Sequence, residues 1–117
     1  MNEDALRDFP GTARLFPLPN LVLFPHVIQG LHIFEARYRQ MTADALAGDK
    51  LIALAMLTPG GEESELPPIE GVACVGEIVW HEKLADGRYN IRLRGLSRAR
   101  IVEEVPTDKL YRVARAE

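Results

Sequence analysis

The chain of 117 residues carries one cysteine, one tryptophan and only two serines, and no apolar run approaches the ~18 residues that cross a bilayer. A single cysteine excludes an internal disulfide and fits a reducing compartment. Cys74 lies in "GVACVGEIVW" between small and β-branched residues, with no base placed near it, and reads as a core residue rather than a nucleophile. The three histidines, His26, His32 and His81, lack a His-x-x-x-His spacing, and no cysteine pair joins them. Ser64 and Ser97 fall in a loop and a turn with no Gly-x-Ser-x-Gly context, and "PGG" is not followed by Lys-Ser/Thr. Glu62, Glu63 and Glu65 sit in a stretch too flexible in prospect to be a positioned carboxylate pair. No catalytic residue, metal ligand set or cofactor site is therefore expected. The start, "MNEDALRDFPG", has neither the basic nor the apolar region of a signal peptide, so a cytoplasmic location without membrane contact is the expectation.

What the sequence does hold is the composition of one small globular domain, with 47% apolar and 26% charged residues. The net charge of −3 conceals an asymmetry. Residues 1 to 87 carry 13 acidic and 6 basic side chains, whereas residues 88 to 117 carry 4 and 8. Such a chain can pair its halves or offer a basic face to a partner.

Residues 1 to 12 read as a loose lead-in. "ARLFPL" (13–18) predicts a strand that Pro17 and Pro19 close, with Arg14, Phe16 and Leu18 on one face and Leu15 on the other. "NLVLFPH" is a short apolar excursion stopped by Pro25, and "VIQGLHI" resumes as a strand. Phe34, Tyr38, Met41 and Ala45 then follow one face of a helix over about residues 35 to 47, with a Glu35–Arg39 pair and a stop at Gly48. "KLIALAML" predicts a buried strand, and residues 58 to 71 a flexible loop rich in Pro, Gly and Glu.

The last third, 72 to 117, reads as a β-meander. Alternation about the Ala85-Asp86-Gly87 turn pairs Lys83 with Arg88, Trp80 with Ile91, Val79 with Arg92, Ile78 with Leu93 and Glu77 with Arg94. A second turn near Gly95-Leu96-Ser97 leads into "RARIVEEV" and sets Arg92, Arg94, Arg98 and Arg100 on one outward face. "YRVARAE" is a further strand at the end of the chain, which implies a boundary short of the full fold or an edge exposed for self-association.

The stretch "LFPLPNLVLFPHVIQGLHIFEARYRQM" resembles the start of the Lon substrate-binding (N-terminal) domain: a strand with "PL", a "VLFP" element and a "pLhIFE-RY" strand-to-helix junction. "GVACVGEIV", "DGRYNIRLRGLSRARI" and "YRVARAE" are similar to later landmarks of that family, in the right order, over about residues 13 to 117. Ala36 stands where many stand-alone members have Pro, and His26 where many have Gly. The resemblance implies a mainly β (α+β), PUA-like pseudo-barrel of about six strands with one main helix. It corresponds to the β half of the Lon N-terminal domain and is similar to the Lon-like domain of cereblon. The ATPase and Ser-Lys peptidase parts of Lon are not in this sequence, so a non-catalytic module is expected that binds unfolded or exposed apolar segments. A protease or ATPase is a further expected partner.

Leu21, Val22, Phe24 and Pro25 are the candidate substrate contacts, against the simpler reading that they pack in the domain's own core. Since PUA-like folds include RNA-binding domains, the face of Arg92, Arg94, Arg98 and Arg100 is the alternative site. The acidic net charge and the lack of aromatics interleaved with those arginines count against nucleic acid.

Overall fold

The computed structural model describes residues 11–19, 21–58 and 68–117. Among these residues six strands and one helix are formed: β1 (Thr12–Leu18), β2 (Ile28–Ile33), α1 (Ala36–Ala47), β3 (Leu51–Leu57), β4 (Ile69–Lys83), β5 (Tyr89–Val105) and β6 (Val113–Ala116). The sheet runs β2-β5-β4-β3-β1-β6, and β6 also pairs with β5. Five strands thus close into a barrel, while β2 lies outside it on the first half of β5. Only β1 and β3 are parallel.

β1 shows why proline is tolerated in this barrel. Leu15 N–H donates to the Arg112 carbonyl at 2.9 Å, away from β3. Alternation turns positions 17 and 19 the same way, so Pro17 lacks a donor only on the side where β3 does not need one.

The sheet is covered on both faces. Inside the barrel, Leu15, Leu51, Val75 and Leu96 pack among seven alanines: Ala13, Ala53, Ala55, Ala73, Ala99, Ala114 and Ala116. Small side chains suit the narrow bore of five strands. On the outer face Phe16, Ile33, Ile52, Leu54, Ile78, Ile91 and Leu93 form a second core beneath Tyr38, Met41 and Ala45 of α1. The helical periodicity was therefore legible, except that Phe34 precedes the helix and stands 58% exposed. Glu35 pairs with Arg37 at 2.9 Å rather than with Arg39, whose guanidinium donates to the Asp86 carbonyl at 3.2 Å. Gly48 ends the helix as expected.

The expected turn at Gly95-Leu96-Ser97 does not exist, because β5 runs through it as one strand of 17 residues. The register instead slips there: Gly76 faces Gly95, but Val75 faces Ser97. Leu96 is the extra residue, and it turns into the barrel. A Cβ on Gly95 would overlap the Phe24 carbonyl oxygen and stand 2.9 Å from its carbon. Glycine is needed at 95 for this close approach and not for a turn. His26 N–H donates to the Gly95 carbonyl at 2.7 Å, and Gly95 N–H to that of Val27 at 2.9 Å.

A second slip lies between Ile78 and Trp80. The expected pairs Ile78–Leu93 and Glu77–Arg94 are present. Nearer the hairpin end the register is one off: Lys83 faces Tyr89, His81 faces Ile91 and Trp80 faces Arg92. Leu84 N–H donates to the Arg88 carbonyl at 2.8 Å, so the turn closes over Ala85-Asp86-Gly87, one residue shorter than the expected connection, and the bulge at Val79 takes up the difference.

Two further expectations are corrected. β4 already begins at Ile69, inside the segment read as loop, while 59–67 lie outside the described residues. The final strand is not an exposed edge, since β6 pairs with β1 on one side and β5 on the other. Among the described residues the free edge of the sheet belongs to β2.

Candidate functional site

The segment between β1 and β2 alternates in burial: Leu21 is half-buried, Val22 exposed, Leu23 buried, Phe24 exposed and Pro25 half-buried. Leu23 inserts into the outer core, pinning the segment across the sheet. Of the four expected contacts, Leu21 and Val22 line a shallow groove of about 210 Å³ with Met56, Val72, Cys74 and Arg98. Phe24 stands beyond it, 52% exposed, with the Arg98 guanidinium 5.6 Å from its ring centroid. Cys74 lies at the groove floor, where burial pushes its thiol pKa up and keeps it an unreactive thiol.

A larger groove of about 460 Å³ opens between the ends of β1 and β2, and none of the expected contacts lines it. Phe16 to Pro19 form one wall and Leu31 to Glu35 the other. Ile33 and Tyr38 are its buried floor, and Phe34 and Leu110, 58% and 61% exposed, stand at its rim. Phe16 and Tyr38 rings meet at 4.5 Å. The polar groups here are tied to one another. Arg37 lies 4.8 Å over the Tyr38 ring and pairs with Glu35. Arg112 Nε donates to Glu104 at 2.7 Å, a hydrogen bond that raises the guanidinium pKa further. Burial is the main cause of the raised Tyr38 hydroxyl pKa, with Arg37 opposing it.

His32 stacks on Phe34 at 6.0 Å between ring centroids. Its Nδ1 is 2.7 Å from Asn90 Oδ1, and Asn90 Nδ2 donates to Glu82 at 3.2 Å. Since Asn90 presents its oxygen, His32 donates from Nδ1, and Nε2 is left facing Arg88 at 3.4 Å.

The four arginines do not form one face. Ile91 and Leu93 point to the outer core, so Arg92 and Arg94 point the opposite way. The bulge at Leu96 reverses the alternation. Ala99 then points into the barrel, and Arg98 and Arg100 point to the outer-core side. Arg100 is paired with Glu117, and Arg98 covers Phe24. The aromatics expected to be missing are present: the slip at Val79 brings Trp80 under Arg92 at 4.8 Å. One ring face of each is taken by a guanidinium, and Glu77 and Glu82 share the face of Arg92 and Arg94.

Burying one or two large apolar side chains is the chemistry the larger groove supports, worth about 1.5–6 kcal/mol before the cost of association. The sequence contained a partial signal for it. Pro17 and Pro19 mark a strand edge short of donors, but assigning Phe34 to the helix face hid the rim. Among the described residues no cluster of His, Cys, Asp and Glu could hold a metal ion, and no helix is long and apolar enough to cross a membrane.

The fold and sequence have clear relatives. A solved Lon N-terminal domain protein from Xanthomonas campestris superposes with a TM-score of 0.72 at 25% identity, covering 91% of this chain and 58% of that one. The N-terminal domain of Mycobacterium avium complex Lon protease shares the fold, with a TM-score of 0.67 at 13% identity over 91% of this chain and 53% of that one. Lon protease 2 of Syntrophobacter fumaroxidans is 34% identical over 114 residues, 86% of this chain and 14% of that protein. Lon protease of Trichlorobacter lovleyi is 36% identical over 104 residues, 88% of this chain and 13% of that protein. The chain thus spans about one-seventh of the length of these proteases. A family model, the ATP-dependent protease La (LON) substrate-binding domain, matches residues 12–117. The chain belongs to the LON substrate-binding domain family.

Proposed function

We propose that this domain is a non-catalytic recognition module in the cytoplasm that binds unfolded or exposed apolar polypeptide segments and presents them to a protease or ATPase partner. The observation that supports it most is the larger groove, with buried Ile33 and Tyr38 as floor and exposed Phe34 and Leu110 as rim. Exposed large apolar side chains beside a concave apolar floor are the features of a docking site. The carboxylate near the groove, Glu35, is held by Arg37, so the site offers shape and apolar surface rather than an acid or a base.

The test is binding of a permanently unfolded, reduced and alkylated model protein to wild type, Phe34→Ser, Leu110→Ser and Phe24→Ser. Each groove variant is expected to weaken binding about tenfold, the loss of most of one buried side chain. Phe24→Ser, outside the groove, is expected to bind like wild type. Equal affinity of all four folded proteins would refute the groove as the site.

A further inference from the structure

The direction of the backbone groups along β2 can be followed residue by residue. Val27 turns its carbonyl toward β5, where it accepts from Gly95 N–H at 2.9 Å, while its own N–H donates to the Phe24 carbonyl at 3.2 Å. In an antiparallel ladder the direction alternates, so Gln29, Leu31 and Ile33 also face β5, opposite Leu93, Ile91 and Tyr89. Ile28, Gly30 and His32 therefore aim their N–H and C=O groups away from β5, where the sheet has no further strand among the described residues. Gln29 Nε2, reaching the exposed Gly30 carbonyl at 3.0 Å, fits that orientation.

This edge borders the larger groove, whose walls are Leu31 to Glu35 on the β2 side and Phe16 to Pro19 on the β1 side. The β1 wall cannot complete a ladder, because Pro17 and Pro19 have no N–H on the side away from β3. Apart from the Gly30 carbonyl, which Gln29 reaches and a strand would take over, the edge groups of β2 have no strand to pair with among the described residues and suit another chain.

We infer that an extended segment of a client polypeptide docks as an added strand on the free edge of β2. Alternate apolar side chains fill the groove over Ile33 and Tyr38, and acidic side chains occupy the intervening positions. The inference rests on the polypeptide-binding reading above and names how that site recognises its ligand. Unfolded clients share a backbone and little else, so main-chain pairing tolerates many sequences, while alternate side chains supply selectivity. The preference for acidic positions comes from the face opposite the groove. Gly30 pairs with Arg92 and has open space where a side chain would be. A client carboxylate opposite Gly30 then faces Arg92, whose guanidinium lies on Trp80 and has no carboxylate partner among the described residues.

The probe is a fluorescein-labelled ten-residue peptide alternating leucine and glutamate. Two further versions are N-methylated at every leucine or at every glutamate, and one replaces glutamate with lysine. A strand pairs through one edge only. One methylated peptide is therefore expected to lose about tenfold or more in affinity, while the other stays within about threefold. The lysine peptide should bind more weakly, and saturation by the parent peptide should shift the emission of Trp80, the only tryptophan. Gly30→Pro, which removes an outward donor and leaves the β5 bonds, should reproduce the loss with the β-rich circular dichroism unchanged. Equal binding of both methylated peptides would overturn strand addition while leaving the groove reading intact. Failure of the parent and of the unfolded model protein alike would overturn both. Sedimentation showing a wild-type dimer that Gly30→Pro dissolves, with no peptide binding, would assign the edge to a second copy instead.

Discussion

Gly95→Ala is the sharpest test of how the segment leading into β2 is held. A methyl group at this position would overlap the Phe24 carbonyl oxygen, lie 2.9 Å from its carbon and 3.2 Å from Cys74 Sγ. Two of these neighbours are backbone and cannot rotate away. Relief requires residues 24 to 27 to lift off β5, with loss of the His26–Gly95 and Gly95–Val27 hydrogen bonds of 2.7 and 2.9 Å. Overpacking alone costs about 1–3 kcal/mol, and each lost backbone bond about 1 kcal/mol, giving roughly 3–5 kcal/mol in total. That is a large part of the roughly 5–15 kcal/mol that holds a small domain together. Urea unfolding followed by circular dichroism measures it. Gly71→Ala is the control, since a methyl there meets nothing within 4 Å. A Gly95→Ala variant within about 0.5 kcal/mol of wild type, with the His26 amide still protected from exchange, would refute the close-approach argument.

The remaining predictions concern charge. Tyr111 donates to Asp44 at 2.7 Å, and burial together with that carboxylate pushes its hydroxyl up to about 12. An acid whose pKa is raised in the fold stabilises below its unfolded value near 10, so stability should fall as pH climbs from about 10 to about 12. Tyr111→Phe should remove most of that alkaline decline, with buried Tyr38 contributing what persists; urea midpoints between pH 9 and 12 decide it. The same bond is the main cause of the lowered Asp44 pKa, so its stabilisation is present above the ordinary carboxylate range and is lost as pH falls through the depressed value. Tyr111→Phe should therefore also flatten the acid limb below about pH 4, measured in the same titration. Arg92→Ala should shift Trp80 emission while changing unfolding stability by no more than about 1 kcal/mol, as an exposed cation–π pair allows.

Local pattern determined the elements. Proline, glycine and the change from period-two to helical spacing mark β1, β2, α1 and β3 in the sequence itself, and the cross-strand agreement of Ile78 with Leu93 and Glu77 with Arg94 marks the hairpin. These features depend on each residue's immediate neighbours. Binary patterning could not reveal the two bulges, at Val79 and Leu96, since an inserted residue leaves composition unchanged while reversing every later side chain. One bulge brought Trp80 under Arg92, and the other divided the four arginines between two faces.

Closure was likewise a tertiary decision. Whether "YRVARAE" ends as an open edge or seals a barrel depends on β1 and β5 being within hydrogen-bond reach, about a hundred and about ten residues away in sequence. The candidate site shows the same division. The sequence alone marked residues 21 to 25 as an irregular apolar segment and placed prolines 17 and 19 at a strand edge. Only packing decided that Leu23 would point inward, that β2 would keep an edge free among the described residues, and that Phe34 and Leu110, 76 residues apart, would rim one groove. Burial is a property of the whole fold, and an apolar residue in a sequence does not record which neighbour will cover it.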